Sequence, residues 1–167
     1  GEIDCAILAE PFPDTNLAIA PLYDEPFVAA VPASHALAAR SHITADEIKQ
    51  ETMLLLGTGH CFRDHVLEVC PEFARYSANA EGIRKSFEGS SLETIKHMVA
   101  AGMGVTLVPR LSVPGSALLP RPDGAHAASS AATGLEFTHI RYLPFEADPP
   151  SRRVVLAWRR SFTRYEA

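Results

Sequence analysis

The sequence has little of what several classes of protein require. Its three cysteines, with no Cys-x-x-Cys pair among them, are too few for a disulfide-stapled secreted domain, which favours a reducing cytoplasm. No apolar run is long enough to cross a bilayer, and the N-terminal residues lack the basic start and apolar stretch of a signal peptide. The net charge of −5 argues against a nucleic-acid-binding surface, and no helix-turn-helix pattern occurs. We therefore expect a cytoplasmic chain that contacts neither membrane nor DNA by itself.

Short apolar runs alternate with helical patterns, which is typical of an α/β fold, and an apolar content of 47% suffices for one or two small domains. The predicted strands cover residues 3–8, 22–26 continuing into 27–31, 53–56, 105–108, 138–143 and 154–158. The predicted helices are residues 44–50, capped by Thr44 and Glu47, a segment from about 61 to 70, and one capped by Ser90 and Glu93 that ends at Gly102. Residues 123–134, rich in Ala, Ser and Gly, are predicted to form a loop.

The segment from residue 57 to residue 71 carries the most chemistry. Gly57 and Gly59 permit a tight turn, and apolar residues then recur at helical spacing, which predicts a helix that begins near Cys61. Pro71 disfavours helix at the residue before it, so this helix should end by about Cys70.

A thiol in the first turn of a helix lies near the positive end of the helix dipole. His60 and Arg63 flank Cys61 and add positive charge, so the pKa of the Cys61 thiol is expected to be lowered. The sequence therefore predicts that Cys61 is a reactive cysteine.

The spacing of the two cysteines in this segment predicts a switch. Nine helical steps would separate the Cα atoms of Cys61 and Cys70 by roughly 13 Å. A disulfide requires Cα atoms no more than about 7 Å apart. The pair can therefore bond only if the helix unwinds.

The segment Gly-x-Gly-His-Cys-Phe-Arg-Asp, followed by Cys70-Pro71, resembles the sensor segment of the OxyR family, the hydrogen-peroxide-responsive LysR-type transcription regulators. Three further stretches resemble the LysR regulatory domain: residues 1–8 the strand that follows its first helices, 87–109 its helix-strand core, and 150–159 its closing strand. The Ser-Leu-Glu-Thr motif within 87–109 indicates only a LysR-type protein, whereas His60-Cys61 with Cys70 selects the peroxide sensor.

The resemblance implies an α/β, two-lobed, periplasmic-binding-protein-like (type II) fold. Residues 27–154 would form the second regulatory lobe, which contains the redox switch. Residues 1–26 and 155–167 would be the remnant of an incomplete first lobe, and the winged helix-turn-helix DNA-binding domain would lie outside this chain.

The resemblance also implies a function. Cys61 would be the peroxidatic cysteine and Cys70 the resolving one, and a dithiol reductant such as glutaredoxin or thioredoxin would reopen their disulfide. This is stoichiometric signalling without cofactor or enzymatic turnover. The full-length homo-oligomer, a dimer or tetramer, would then act on oxidative-stress genes through DNA and RNA polymerase. The peroxide pocket would be shaped by His60, Arg63, Asp64 and Arg153.

Two other hypotheses remain open. One is an effector-binding domain of another LysR-type regulator, in which Ser90 and Ser91 at a helix N-terminus hold a small anionic metabolite.

The other hypothesis is a metal site that uses Cys61, His65 and Cys70, with His60 as a fourth ligand. It ranks last because no Cys-x-x-Cys pair supports it, and we predict no bound metal. His65 is otherwise expected to be a solvated helix side chain, and Cys5 to be buried in its apolar strand.

Overall fold

The computed structural model of the chain describes residues 3–12, 16–69, 86–113 and 139–161. Within these ranges the strands are β1 (Cys5–Ala9), β2 (Leu17–Pro32), β3 (Met53–Leu56), β4 (Ser86–Gly89), β5 (Thr106–Pro109), β6 (Ile140–Leu143) and β7 (Ser151–Arg159). The α-helices are α1 (Ala45–Ile48), α2 (Cys61–Val69) and α3 (Leu92–Ala100), with short 3₁₀ helices at Ala36–Ala39 and Arg110–Ser112. The predicted alternation of strands and helices is confirmed. No helix in the described part of the chain has the length and apolar character needed to cross a membrane.

Strand β2 is the longest element and joins two groups of strands. Its first part, up to Pro26, pairs antiparallel with β7, which in turn pairs with β1. From Phe27 onward, β2 pairs antiparallel with β5 and β6. The sequence predicted this strand at residues 27–31 with residues 22–26 leading into it, and did not predict the part before residue 22. Here Pro21 is accommodated at a register shift between Pro21 and Tyr23, where a bulge tolerates it.

The hydrophobic core lies on one side of this change of partners. Every residue of β3 and β5 is buried, as is β2 from Phe27 to Pro32. Ile95 and Val99 of α3 pack into the same cluster. In contrast, Ile7 and Ile19 on β1 and the first part of β2 are 66% and 46% exposed.

The helix caps are mostly as predicted. Thr44 and Glu47 form a capping box on α1, and the Thr44 backbone amide that donates to the carboxylate is the main reason why the pKa of Glu47 is lowered. Gly102 has φ +78 and follows α3, as expected for a helix stop. The prediction that Ser90 caps α3 is wrong, because the hydroxyl of Ser91 accepts the hydrogen bond from the Thr94 backbone.

The parallel pair β3–β4 sets the position of two helix N-termini. Leu56 at the end of β3 pairs with Gly89 at the end of β4. Helix α2 follows β3 and α3 follows β4, so both helices begin at the same edge of this pair.

Candidate redox site

The turn between β3 and α2 brings the predicted reactive cysteine to a helix start. Gly59 adopts φ +94, a conformation that favours glycine, and the amide of Gly57 donates to the carbonyl of Gly89 at 3.0 Å. Helix α2 begins at Cys61, as predicted, and its described part ends at Val69. Cys70 lies outside the described residues.

Cys61 is a free, exposed thiol at the first residue of α2. His60 before it and Asp64 three residues later are also exposed, so both flank the thiol on the solvent side of the helix. The first backbone amides of a helix have no partner within the helix and present partial positive charge. The position of Cys61 thus suits attack by a thiolate on a small solute.

Phe62 anchors the first turn of α2 in the protein interior. Its ring is 5.2 Å from the ring of Phe27, centroid to centroid, in an edge-to-face arrangement at 85°. The guanidinium carbon of Arg152 lies 5.5 Å from the Phe62 centroid, which is within the range of a cation–π contact. Phe62 is therefore held between an aromatic edge and a cation.

Arg63 anchors the same turn to the strands behind it. Its Nη1 donates to the carbonyl of Leu56 at 2.9 Å and to Glu88 Oε1 at 2.7 Å, and the Arg63 side chain is 8% exposed. The guanidinium thus ties α2 to the ends of β3 and β4. Its predicted role in shaping a peroxide pocket stays a prediction.

The two neighbouring arginines of β7 have different surroundings. Arg153 pairs with Asp24, and the two side chains are 56% and 55% exposed. The hydrogen bond between them lowers the pKa of Asp24 and raises that of Arg153. Among the described residues Arg153 pairs with Asp24 and makes no contact with α2. Its predicted role in the peroxide pocket stays a prediction.

Arg152 is the residue that the sequence reasoning missed. Its guanidinium contacts Phe62, and its Nε and Nη2 both donate to Oε2 of Glu25. Successive side chains on a strand point to opposite faces, so the two adjacent arginines on β7 lie on different faces. The adjacent Asp24 and Glu25 on the partner strand carried the same signal.

Two predictions about burial are wrong. His65 is 3% exposed, because it lies three residues after Phe62 on the same side of α2, and neither ring nitrogen has a hydrogen-bond partner among the described residues. Cys5 is exposed, because among the described strands β1 lies at the end of its sheet and pairs with β7 alone.

The alternative sites are an anion site at Ser90 and Ser91 and a metal site whose set includes Cys70, which lies outside the described residues. The hydroxyl of Ser91 is used as the α3 cap, and Ser90 is exposed beside it. Within the described ranges, no group of three His, Cys, Asp or Glu side chains is placed to hold a metal ion.

Comparison with known proteins decides the family. The LysR substrate binding domain matches residues 1–126. The chain belongs to this family.

Similar proteins narrow the relationship further. A hydrogen peroxide-inducible genes activator of Pectobacterium carotovorum subsp. carotovorum is 34% identical over 95% of this chain and 45% of its own length. The DNA-binding transcriptional dual regulator OxyR of Escherichia coli (strain K12) is 38% identical over 68% of this chain and 35% of its own length. This LysR substrate binding domain thus spans less than half of the curated relatives it matches.

A reduced form of OxyR from N. meningitidis has a similar structure, with a TM-score of 0.76 and 36% identity. The match covers 98% of this chain and 66% of the other. The expected resemblance to OxyR and the expected α/β type II fold of a LysR regulatory domain are both confirmed.

Proposed function

We propose that this domain senses hydrogen peroxide for a LysR-type transcription regulator through oxidation of Cys61. The observation that carries the proposal is the exposed thiol of Cys61 at the first residue of α2, in a chain whose relatives are peroxide-inducible gene activators. His60 and Asp64 flank the thiol and are proposed to line the approach of peroxide. Arg63 is proposed to fix the floor of that approach through its contact with Glu88.

The arginine behind the thiol segment is proposed to be Arg152. Its guanidinium lies over the ring of Phe62, next to Cys61 in the chain, whereas Arg153 is engaged by Asp24 on the exposed side. The role that the sequence resemblance gives to Arg153 stays a prediction beside this proposal.

The chemistry needs one oxidant and one reductant. The thiolate of Cys61 attacks an oxygen of hydrogen peroxide, the O–O bond breaks, and hydroxide leaves as sulfenic acid forms. The thiol of Cys70 then attacks that sulfur, the S–O bond breaks and water leaves, which gives the disulfide. A dithiol such as glutaredoxin or thioredoxin restores both thiols and becomes a disulfide itself.

Helix α2 makes this chemistry a conformational switch. The described helix spans eight steps from Cys61 to Val69, about 12 Å along its axis. A disulfide joins Cα atoms no more than about 7 Å apart, so a bond from Cys61 to the residue after Val69 requires α2 to unwind. The reduced thiols and the disulfide thus belong to two conformations of one segment.

The lobe boundaries and the partners are part of the proposal. The change of β2 partners between Pro26 and Phe27 supports a second lobe at residues 27–154, with 1–26 and 155–167 in the first lobe. In the whole regulator, a homo-oligomer would carry the conformational change to DNA and RNA polymerase, and the domain would signal without catalytic turnover.

Non-reducing peptide mass spectrometry after a brief, near-stoichiometric peroxide pulse tests the proposal. We expect a Cys61–Cys70 peptide that is absent from the Cys61→Ser variant. Cys5→Ser is the matched control, since Cys5 is also an exposed free thiol, and this variant should form the crosslink normally. Free thiols throughout a folded wild-type sample would contradict the proposal.

A further inference from the structure

We infer that Glu25 is a positioning residue for the redox helix: its carboxylate fixes the guanidinium of Arg152 over Phe62 and so holds the first turn of α2, which carries Cys61. The inference rests on the proposed function and deepens it. Glu25 lies 36 positions before Cys61 in the sequence.

Glu25 is committed through both of its carboxylate oxygens. Oε2 accepts hydrogen bonds from Nε and Nη2 of Arg152 at 2.8 and 2.6 Å. Oε1 accepts from the backbone amide of Leu111 at 3.3 Å. The Glu25 side chain is only 4% exposed. Charge-assisted hydrogen bonds shielded from water fix geometry strongly, so the guanidinium of Arg152 has little freedom.

The fixed guanidinium in turn limits Phe62. Arg152 Cζ lies 5.5 Å from the centre of the ring, and Phe27 meets the same ring edge-to-face. Phe62 is 8% exposed, so a shift of its ring must displace one of these two neighbours.

Phe62 determines where the first turn of α2 lies. A nine-residue helix is marginal by itself, and its position depends on the side chains that it buries. Cys61 directly precedes Phe62 and is exposed, so the backbone that Phe62 anchors sets where its sulfur lies. Glu25 therefore acts on the thiol through Arg152 and Phe62.

The contacts from Glu25 through Arg152 to Phe62 lie where strand β2 changes its pairing partners. Glu25 pairs with Arg152 across the β2–β7 ladder, and Phe27, two residues later, begins the pairing with β5. When α2 unwinds to form the disulfide, Phe62 must leave Arg152 and Phe27. The oxidation of Cys61 would thus change the packing of Phe27 and Arg152 at the point where β2 changes its partners.

The chain contains its own control for this inference. Asp24 and Arg153 form the adjacent cross-strand pair, with the same chemistry, but on the exposed face. Substitution there removes an ion pair between the same two strands without touching Phe62.

The experiment compares Glu25→Gln with Asp24→Asn in the full 167-residue chain. Two second-order rate constants are measured at Cys61, one for oxidation by hydrogen peroxide and one for alkylation by iodoacetamide, with circular dichroism to confirm folding. We expect Glu25→Gln to slow both reactions about tenfold, since small misplacements of a reacting group are costly, and Asp24→Asn to change each by less than about twofold.

A charge-reversed pair separates positioning from simple stabilisation. Glu25→Arg with Arg152→Glu restores an ion pair between the strands but places a carboxylate where the cation met Phe62. We expect this variant to recover the melting temperature and not the reaction rates. Recovery of both would assign Glu25 and Arg152 a merely structural role and overturn the inference. If the variant does not fold, the comparison of the single variants decides.

The two reactions distinguish failure of the inference from failure of the proposed function. If peroxide oxidises wild-type Cys61 and Glu25→Gln reacts as fast as wild type in both assays, the inference is wrong and the function stands. If peroxide leaves wild-type Cys61 unchanged while Glu25→Gln still slows alkylation, the proposed function is wrong and the positioning role stands.

Discussion

Two ion pairs join β2 to β7 with neighbouring residues and the same chemistry, yet they differ in surroundings. In the pair Glu25–Arg152 the side chains are 4% and 20% exposed, and the guanidinium also contacts an aromatic ring. In the pair Asp24–Arg153 the side chains are 55% and 56% exposed. Exposed pairs are screened by water and contribute little, whereas a shielded pair that loses one partner leaves a costly charge behind. Two pairs that differ by one residue along each strand are thus a surface contact in one case and a contact with helix α2 in the other.

Removal of Phe62 should have the largest effect on stability, because its ring is what the buried pair Glu25–Arg152 contacts. Phe62→Ala opens a cavity between Phe27 and Arg152 and is expected to lower the free energy of unfolding by about 4 kcal/mol. Urea denaturation of the reduced domain measures it. Phe145→Ala is a comparison for loss of an equally buried ring in the core away from α2. Only Phe62→Ala should also slow the oxidation of Cys61.

Truncation of the inner carboxylate has the next largest expected effect. Glu25→Ala leaves Arg152 without its charged partner and the amide of Leu111 without an acceptor, so a loss of roughly 3 kcal/mol in unfolding free energy is expected. Asp24→Ala is the matched variant and should lose far less. Equal losses in the two variants, by the same urea denaturation, would contradict the contrast between the pairs.

The buried histidine of α2 should give a smaller effect of opposite sign. His65 has no hydrogen-bond partner among the described residues, so replacing it by Leu removes a desolvation cost and is expected to raise stability by about 1 kcal/mol. His35→Leu is the matched control, because His35 accepts from the Leu37 amide and pairs with Glu51. Thermal melts should show a gain only for His65→Leu. A loss at His65 would mean that the imidazole has a stabilising contact.

The outer pair should respond to acid with the smallest effect. The hydrogen bond from Arg153 lowers the pKa of Asp24 below its ordinary value of 3.8 in the folded chain. Unfolding therefore takes up a proton in acid, so the contribution of this pair is present above about that pH and is lost as the pH falls through the folded pKa. The unfolding free energies of wild type and Asp24→Asn should converge as the pH is lowered. A difference that grows in acid would contradict this linkage.

Local signals were enough to predict much of the fold. The strand at β3 was predicted with its observed bounds, and the capping box of Thr44 and Glu47 is present because it depends only on residues three apart. The start of α2 at Cys61 also follows from the glycine turn and the apolar spacing that precede any tertiary contact. Such features depend only on residues that lie close together in the sequence.

The predictions of burial that failed depend on which face of an element meets the rest of the molecule. His65 and Cys5 were assigned to the wrong environment, because burial depends on partners that are distant in the sequence. The contacts of Arg152 needed the register of β7 against β2, which no local pattern of β7 specifies. The thiol could therefore be found from the sequence, but not the contact between Arg152 and Phe62.

Hydrogen exchange along α2, in the reduced domain and after one equivalent of peroxide, tests the central claim most directly. The claim is that oxidation of Cys61 is linked to the unwinding of the helix Cys61–Val69. We expect the amides of this helix to lose protection on oxidation, while those of α3, a helix of the same length that does not carry the thiol, keep theirs. Oxidation at Cys61 with undiminished protection of α2 would contradict the switch.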